Sequence, residues 1–278
     1  MKNLSPTQQA CLDAMGIDVW VPRDVQNEDA IEAIQDTPIL LSQVKQEQVP
    51  VTNAEILPVV ENNQTIDVDA SPIQKIADDI PTTLSIPDDW NGLSQAVSSC
   101  RECGLHTSRT HTVFGSGNQN ADWLIIGDTP TVDDDKNGNP FTGQSGELLT
   151  AMLRAIKLTR QQVYITNTLK CTTPNNREPE ESELDTCLQY LHKQISLINP
   201  KLILVLGQSA AQRVLNNQST LARLRQKVHS LEDSNISVSV PVVVSYHPSS
   251  LLSMPANKGK AWQDLLFAQK AISSQAVL

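Results

Sequence analysis

No apolar run in this chain of 278 residues approaches the roughly 18 residues that a membrane helix needs. The opening stretch, MKNLSPTQQ, lacks the basic start and apolar core of a secretory signal. Cysteine is scarce as well. Five in this length are too few for a disulfide scaffold, so the thiols are expected to be reduced or metal-bound. These absences exclude a membrane span and a secreted cystine framework, and they lead to the expectation of a soluble, cytoplasmic protein. The length leaves room for one large domain or two small ones.

Basic charge is scarce in one region only. Residues 1–88 hold 4 Lys and Arg against 15 Asp and Glu, a net of -11, whereas residues 89–278 hold 17 against 16. The overall net charge of -10 therefore does not argue against a nucleic-acid ligand for the C-terminal region, nor for one. Within the acidic part, residues 1–23 contain a short amphipathic segment. Ser5 and Pro6 suit a helix start, Ala10, Cys11, Ala14 and Met15 fall at helical spacing, and Gly16 suits its end. Residues 24–88 are rich in Gln, Asn, Asp, Glu, Pro and Thr with no sustained apolar period, which predicts a disordered acidic linker.

From residue 89 onward the pattern is α/β. Apolar runs at 122–127, 162–167, 201–207 and 240–246 are continuous rather than alternating, as in parallel strands covered on both faces. Helical stripes lie between them: Leu148, Leu149, Met152, Leu153 and Ile156; then Leu184, Cys187, Leu188, Leu191, Ile195 and Ile198; then Ala210, Ala211 and Val214; and last Trp262, Leu265, Leu266 and Ala268. This alternation predicts a sandwiched parallel sheet of about four strands, with ligands beyond the carboxyl ends of those strands.

The residues at those ends are chemically varied. Gly127 and Asp128 follow the first strand, and Asn139 to Gly143 lie a short way beyond. Asn167 closes the second, Gly207, Gln208 and Ser209 follow the third, and Tyr246, His247 and Ser249 follow the fourth. Singly, an Asp there suits a helix cap, an Asn a turn and a Phe the core. Together, at sequential strand ends, they mark a candidate site. Cys100 and Cys103 form C-x-x-C, with Cys171 and Cys187 further along. Four thiols in a reducing compartment suit a zinc site or an iron–sulfur cluster, and spacing does not choose between them. A redox C-x-x-C with Cys187 merely buried in its helix stripe is the plainer alternative.

These blocks, in this order, resemble the iron–sulfur (family 4) uracil-DNA glycosylases over roughly residues 92–272. The similarity runs through C-x-x-C, Val-Phe-Gly-Ser-Gly (113–117), Gly-Asp-Thr-Pro (127–130), Asn-Pro-Phe-Thr-Gly-Gln-Ser-Gly (139–146) and Val-Tyr-Ile-Thr-Asn-Thr-Leu-Lys-Cys (163–171). It continues in Asn-Arg-Glu-Pro (176–179), Leu-Gly-Gln-Ser-Ala (206–210) and Tyr-His-Pro-Ser (246–249). The resemblance implies a three-layer α/β/α sandwich around a four-stranded parallel sheet. It also implies a monomer and a 4Fe–4S cluster on Cys100, Cys103, Cys171 and Cys187.

The implied reaction is hydrolysis of the N-glycosidic bond of deoxyuridine in DNA, after the nucleotide is flipped out of the duplex. On the matching positions, Phe141 stacks on the base, Asn167 reads its edge and Gly127 belongs to the substrate-binding set. His247 hydrogen-bonds the leaving uracil oxyanion, and Asp128 positions water or stabilises the cationic sugar. Gln208, Ser209 and Ser249 suit phosphate contacts, Leu251 or Leu252 suits a wedge into the duplex, and Lys258 and Lys260 suit the backbone.

Two positions depart from the family's Gly-Glu-(small)-Pro-Gly turn. Asp128 stands for Glu, and Thr131 for the final Gly. The shorter acid implies a slower enzyme, and a β-branched residue implies a rebuilt turn if positive φ is required. The alternative reading is a catalytically weak or idle glycosylase fold that binds DNA or replication proteins. Residues 15–23, Met-Gly-Ile-Asp-Val-Trp-Val-Pro-Arg, separately resemble the N-terminal peptide of the psi subunit of bacterial DNA polymerase III. That resemblance implies docking on clamp-loader proteins through residues 4–23, with the linker raising local concentration.

Overall fold

The computed structural model describes residues 86–231 and 240–275. The docking segment of residues 1–23 and the linker up to residue 85 lie outside the described residues. Ile86 packs beside Leu93, Val97 and Tyr190, and Asp88 pairs with Lys193, so the folded region already includes the last linker residues.

Helix α1 (Trp90–Ser99) opens the fold, capped by Asp89, whose Oδ1 accepts from Gly92 N at 2.9 Å. Its Trp90 sits edge-on to Phe114 and Tyr164, at 5.2 and 5.1 Å between ring centroids. Strands β1 (Ser116–Gly117) and β2 (Trp123–Gly127) follow, then helices α2 (Val132–Asn137) and α3 (Gly143–Ala155). After β3 (Val163–Asn167) comes the long α4 (Glu181–Ile198), whose end at the left-handed Asn199 precedes Pro200. Then come β4 (Leu202–Leu206), α5 (Gln208–Val214), α6 (Leu221–Leu224), β5 (His229–Leu231), β6 (Val240–Ser245), α7 (Pro248–Ser253) and α8 (Lys258–Gln275).

The sheet order is β1-β3-β2-β4-β6-β5. The four strands expected from the apolar runs form the parallel centre, β3-β2-β4-β6. Two short antiparallel strands, β1 and β5, extend it at the edges and were not anticipated. They carry no apolar run of their own. One face buries Ile125, Ile165, Leu204 and Val243 against α3, α7 and α8. The other buries Leu124, Ile126, Ile203, Val205 and Val244 against α4 and α5. Two apolar faces are why these strands lack alternation, and each such side chain contributes about 1.5–3 kcal/mol when fully buried.

The expected stripes are largely inward. Leu266 is the exception and is exposed, because the buried face of α8 runs through Ala261, Asp264, Leu265 and Ala268. Among the described residues, no helix is long and apolar enough to cross a membrane.

Candidate active site

The parallel register pairs Gly127 with Asn167 at the carboxyl tips of β2 and β3. A Cβ on residue 127 would lie 2.4 Å from Asn167 Oδ1 and 2.5 Å from Phe141 Cζ, so only glycine leaves these side chains in place. The Phe141 ring in turn sits 5.2 Å from the His247 ring, tilted by 31°. Gly127, Phe141, Asn167 and His247, from four separate chain segments, therefore meet. Asn167 is 2% exposed, and its Nδ2 has no hydrogen-bond partner. A buried amide donor left unpaired is costly, and it marks a place where an acceptor belongs.

His247 caps α7. Ser249 N–H donates to its Nδ1 at 3.3 Å, and the Ser249 hydroxyl lies 2.6 Å from the same atom. A backbone N–H can only donate, so Nδ1 is the acceptor and the ring proton sits on Nε2. Burial pushes the imidazole down to about 4, against a smaller opposing pull from Asp134. The ring is thus a neutral donor at neutral pH.

Asp128 opens onto a cleft of about 780 Å³ whose walls include Thr131, Gly207, Ser209, His247 and Ser249. Burial raises its carboxyl above the ordinary range; a hydrogen bond from the Ser209 hydroxyl works the other way, and Glu178 adds to the rise. Phe141 and Asn167 do not line this cleft; both pack against Gly127, and Phe141 adjoins the cleft wall through the His247 ring.

The departing turn is built without positive φ. Thr131 has φ -79° and ψ 170°, extended backbone that a β-branched residue adopts freely. The expected cost of replacing glycine is therefore absent. Thr131 instead forms a capping box with Asp134: Asp134 N–H donates to Thr131 Oγ1 at 3.2 Å, and Thr131 N–H donates to Asp134 Oδ2 at 2.9 Å. Asp134 also accepts from Thr142 N and Thr142 Oγ1, both at 2.6 Å. This buried carboxylate ties the Asp128 turn to the Phe141 loop. The sequence carries the Thr-x-x-Asp pattern that signals such a box, within the run of three aspartates at 133–135.

The expected DNA contacts fare unevenly. Leu251 is 1% exposed, locked in the core beside α3 and α8, and does not serve as a wedge; Leu252 beside it is 40% exposed. Gln208 Oε1 accepts from Leu221 N at 3.0 Å, capping α6. Ser209 and Ser249 are turned onto Asp128 and His247. Lys260 Nζ donates to Asn257 Oδ1 at 3.0 Å, on the exposed surface.

The four cysteines are free. Cys103, Cys171 and Cys187 pack together with Leu105, Leu169 and Leu184, and Cys100 lies within electrostatic reach of Cys103 and Cys171. Arg109 spans them, donating to Cys171 Sγ at 3.1 Å and to the Cys100 carbonyl at 2.8 Å. Burial pushes the Cys187 thiol up to about 12. Among the described residues, no group of three or more His, Cys, Asp or Glu is arranged to hold a metal ion. Next to Cys171, the buried Lys170 donates to Thr166 Oγ1, Asn167 O and Gln194 Oε1 at 2.6, 2.8 and 2.7 Å. The segment that carries Cys171 is thereby joined to the strand tip that carries Asn167.

The family model of the Uracil DNA glycosylase superfamily matches residues 114–266. A type-4 uracil-DNA glycosylase of Archaeoglobus fulgidus is 42% identical over 163 residues, covering 57% of this chain and 81% of that protein. Those of Sulfurisphaera tokodaii and Thermotoga maritima are 37% and 35% identical, over 60% of this chain and 78% and 84% of theirs.

Proposed function

Because the chain belongs to the uracil-DNA glycosylase superfamily over residues 114–266 and is similar to type-4 enzymes over 57–60% of its length, we propose a specific division of labour in its site. The protein is a DNA-repair hydrolase acting on the N-glycosidic bond of uracil in DNA. A flipped nucleotide reaches Phe141 and Asn167 between Asp128 and His247. Phe141 stacks on the pyrimidine, and the unpaired Asn167 Nδ2 donates to the uracil C4 carbonyl. Cytosine offers a donor where uracil has that carbonyl, and a buried site built for one rejects the other.

As the C–N bond breaks, electrons move into the uracil ring. Neutral His247 donates from Nε2 to the developing oxyanion; losing such a donor costs about 10²–10³ in rate. Asp128, ionised, faces the positive sugar and orients the water whose oxygen forms the new bond to the anomeric carbon. The O–H bond of that water breaks as the new C–O bond forms, and its proton ends on the departing uracil anion, which leaves as neutral uracil.

Cys100, Cys103, Cys171 and Cys187 would hold a 4Fe–4S cluster. Their donor chemistry fits: four free thiols, with the Arg109 guanidinium placed to offset thiolate charge. When bound, the group supplies a structural staple between the segment before β1 and the loop after β3. Uracil-containing DNA is the macromolecular ligand, met by a monomer in the cytoplasm. The docking of residues 4–23 on clamp-loader proteins rests on their resemblance alone. Equal recovery of those proteins by the full chain and by Trp20→Ala would rule it out.

The observation that carries the site reading is the partnerless Asn167 Nδ2 beside a glycine with no room for a side chain. The test is uracil release from single-stranded uracil DNA by the full chain and by Asn167→Ala. Release by the first and a large loss in the second supports the reading. No release by either, at high protein concentration, leaves the binding module.

A further inference from the structure

Phe141 holds a backbone conformation that side-chain-bearing residues avoid, with φ at 54°. Its carbonyl is pressed onto the start of α3, where a Cβ on Gly146 would lie only 1.7 Å from Phe141 O. Asp134 anchors one side of this turn through Thr142 N and Thr142 Oγ1, whereas the Pro140 and Phe141 carbonyls are held from elsewhere. Arg160, in the connection between α3 and β3, reaches back to it. Its Nη2 donates to Pro140 O at 2.9 Å, and its Nη1 to Phe141 O at 3.3 Å, with longer bonds of 3.4 Å to Gly146 O and Thr150 Oγ1.

These partners are three carbonyls and a hydroxyl rather than a carboxylate. A half-buried guanidinium is an expensive way to satisfy carbonyls, and burial lowers the affinity of Arg160 for its proton. The planar fork fits the arrangement, since two nitrogens address consecutive carbonyls of the strained turn at once.

We propose that Arg160 is the positioning residue for base recognition: by gripping the Pro140 and Phe141 carbonyls it keeps the Phe141 ring in the orientation that stacks on uracil. Arg160 does not line the cleft at Asp128, so it acts through Phe141. The inference rests on the stacking role given to Phe141 above and adds the residue on which that role depends.

The test separates base binding from DNA binding. Free uracil is used as a product inhibitor of the full-length enzyme, and its inhibition constant is measured for wild type, Arg160→Gln, Arg160→Lys, Phe141→Ala and the double variant Phe141→Ala/Arg160→Gln. Affinity for DNA carrying a tetrahydrofuran abasic site, which has no base to stack, is measured alongside. Phe141→Ala is expected to weaken uracil inhibition about tenfold or more, the scale of one lost aromatic stack. Arg160→Gln should weaken it by a similar factor, with abasic-site affinity within about twofold of wild type, and Arg160→Lys should recover part of the loss. The double variant should be no weaker than Phe141→Ala, because the two residues act as one unit.

If Phe141→Ala weakens uracil inhibition and Arg160→Gln and Arg160→Lys leave it at the wild-type value, the positioning role is overturned while stacking stands. Equal losses in uracil and abasic-site binding by both Arg160 variants would overturn it too, as general damage to the fold. Unchanged inhibition in Phe141→Ala would instead overturn the stacking role itself. Should Arg160→Gln fail to fold, Arg160→Lys is read by the same criteria.

Discussion

Gly127 and Asn167 stand side by side at the tips of two parallel strands, and a methyl group on the first would lie 2.4 Å from the amide oxygen of the second. Gly127→Ala should therefore displace Asn167 or Phe141 while leaving the sheet intact. A misplacement of about 1 Å costs on the order of a hundredfold in rate. Steady-state excision and thermal melting check this together: kcat/KM should fall by about that factor with the melting temperature nearly unchanged.

The pH dependence has a definite sign. The raised Asp128 carboxyl must be ionised to work, so activity should fall as pH drops through a value above its ordinary 3.8. His247, held down near 4, stays neutral from pH 5 to 8 and contributes no limb there. For stability the two act oppositely. The depressed His247 contributes stability that is present above pH 6.5 and lost as pH falls through about 4. The raised Asp128 contributes stability present below 3.8 and lost as pH rises through its folded-state value. Rate–pH profiles of wild type and Asp128→Glu give the acid limb directly. If the short carboxylate limits turnover, the Glu variant is faster; a slower variant shows that the Ser209 hydrogen bond has adapted the site to Asp.

Asp134 binds two loops at once, so its loss should be felt in both. Asp134→Ala strands the half-buried Thr131 and Thr142 amides, each costing up to about 1 kcal/mol, the lower end of the range for a fully buried donor left unpaired. Thr131→Ala removes only the cap and should cost about 1 kcal/mol. Urea denaturation of the two variants checks the ranking, Asp134→Ala below Thr131→Ala below wild type.

Removal of the cluster is expected to weaken base recognition through Lys170. This lysine is 1% exposed and holds the Asn167 carbonyl, one residue from Cys171. Anaerobically purified protein should contain about four iron and four sulfide per chain. Cys171→Ala should lose both, together with visible absorption, and should excise uracil more slowly. Zinc in place of iron would contradict the cluster assignment.

The central strands were legible because both faces are buried, which makes their apolar runs continuous. The edge strands β1 and β5 were not, being two and three residues long with no such run. Among adjacent leucines, periodicity could not say which of Leu251 and Leu252 faces inward; packing of α7 against α3 and α8 decides it. The meeting of Gly127, Phe141, Asn167 and His247 was legible as strand-end chemistry. The left-handed turn at Phe141 and the reach of Arg160 were not, since both depend on long-range geometry that leaves no periodic trace. Thr131 was expected to disturb its turn, and its extended backbone with a capping partner three residues on shows why it does not.

The most direct measurement is the rate of uracil excision from single-stranded uracil DNA by the intact protein, compared with Asn167→Ala and His247→Ala at the same concentration. Clear excision by the wild type, with each substitution lowering the rate by about 10² or more, is the expected result. Wild-type excision that both substitutions leave unchanged would contradict the account.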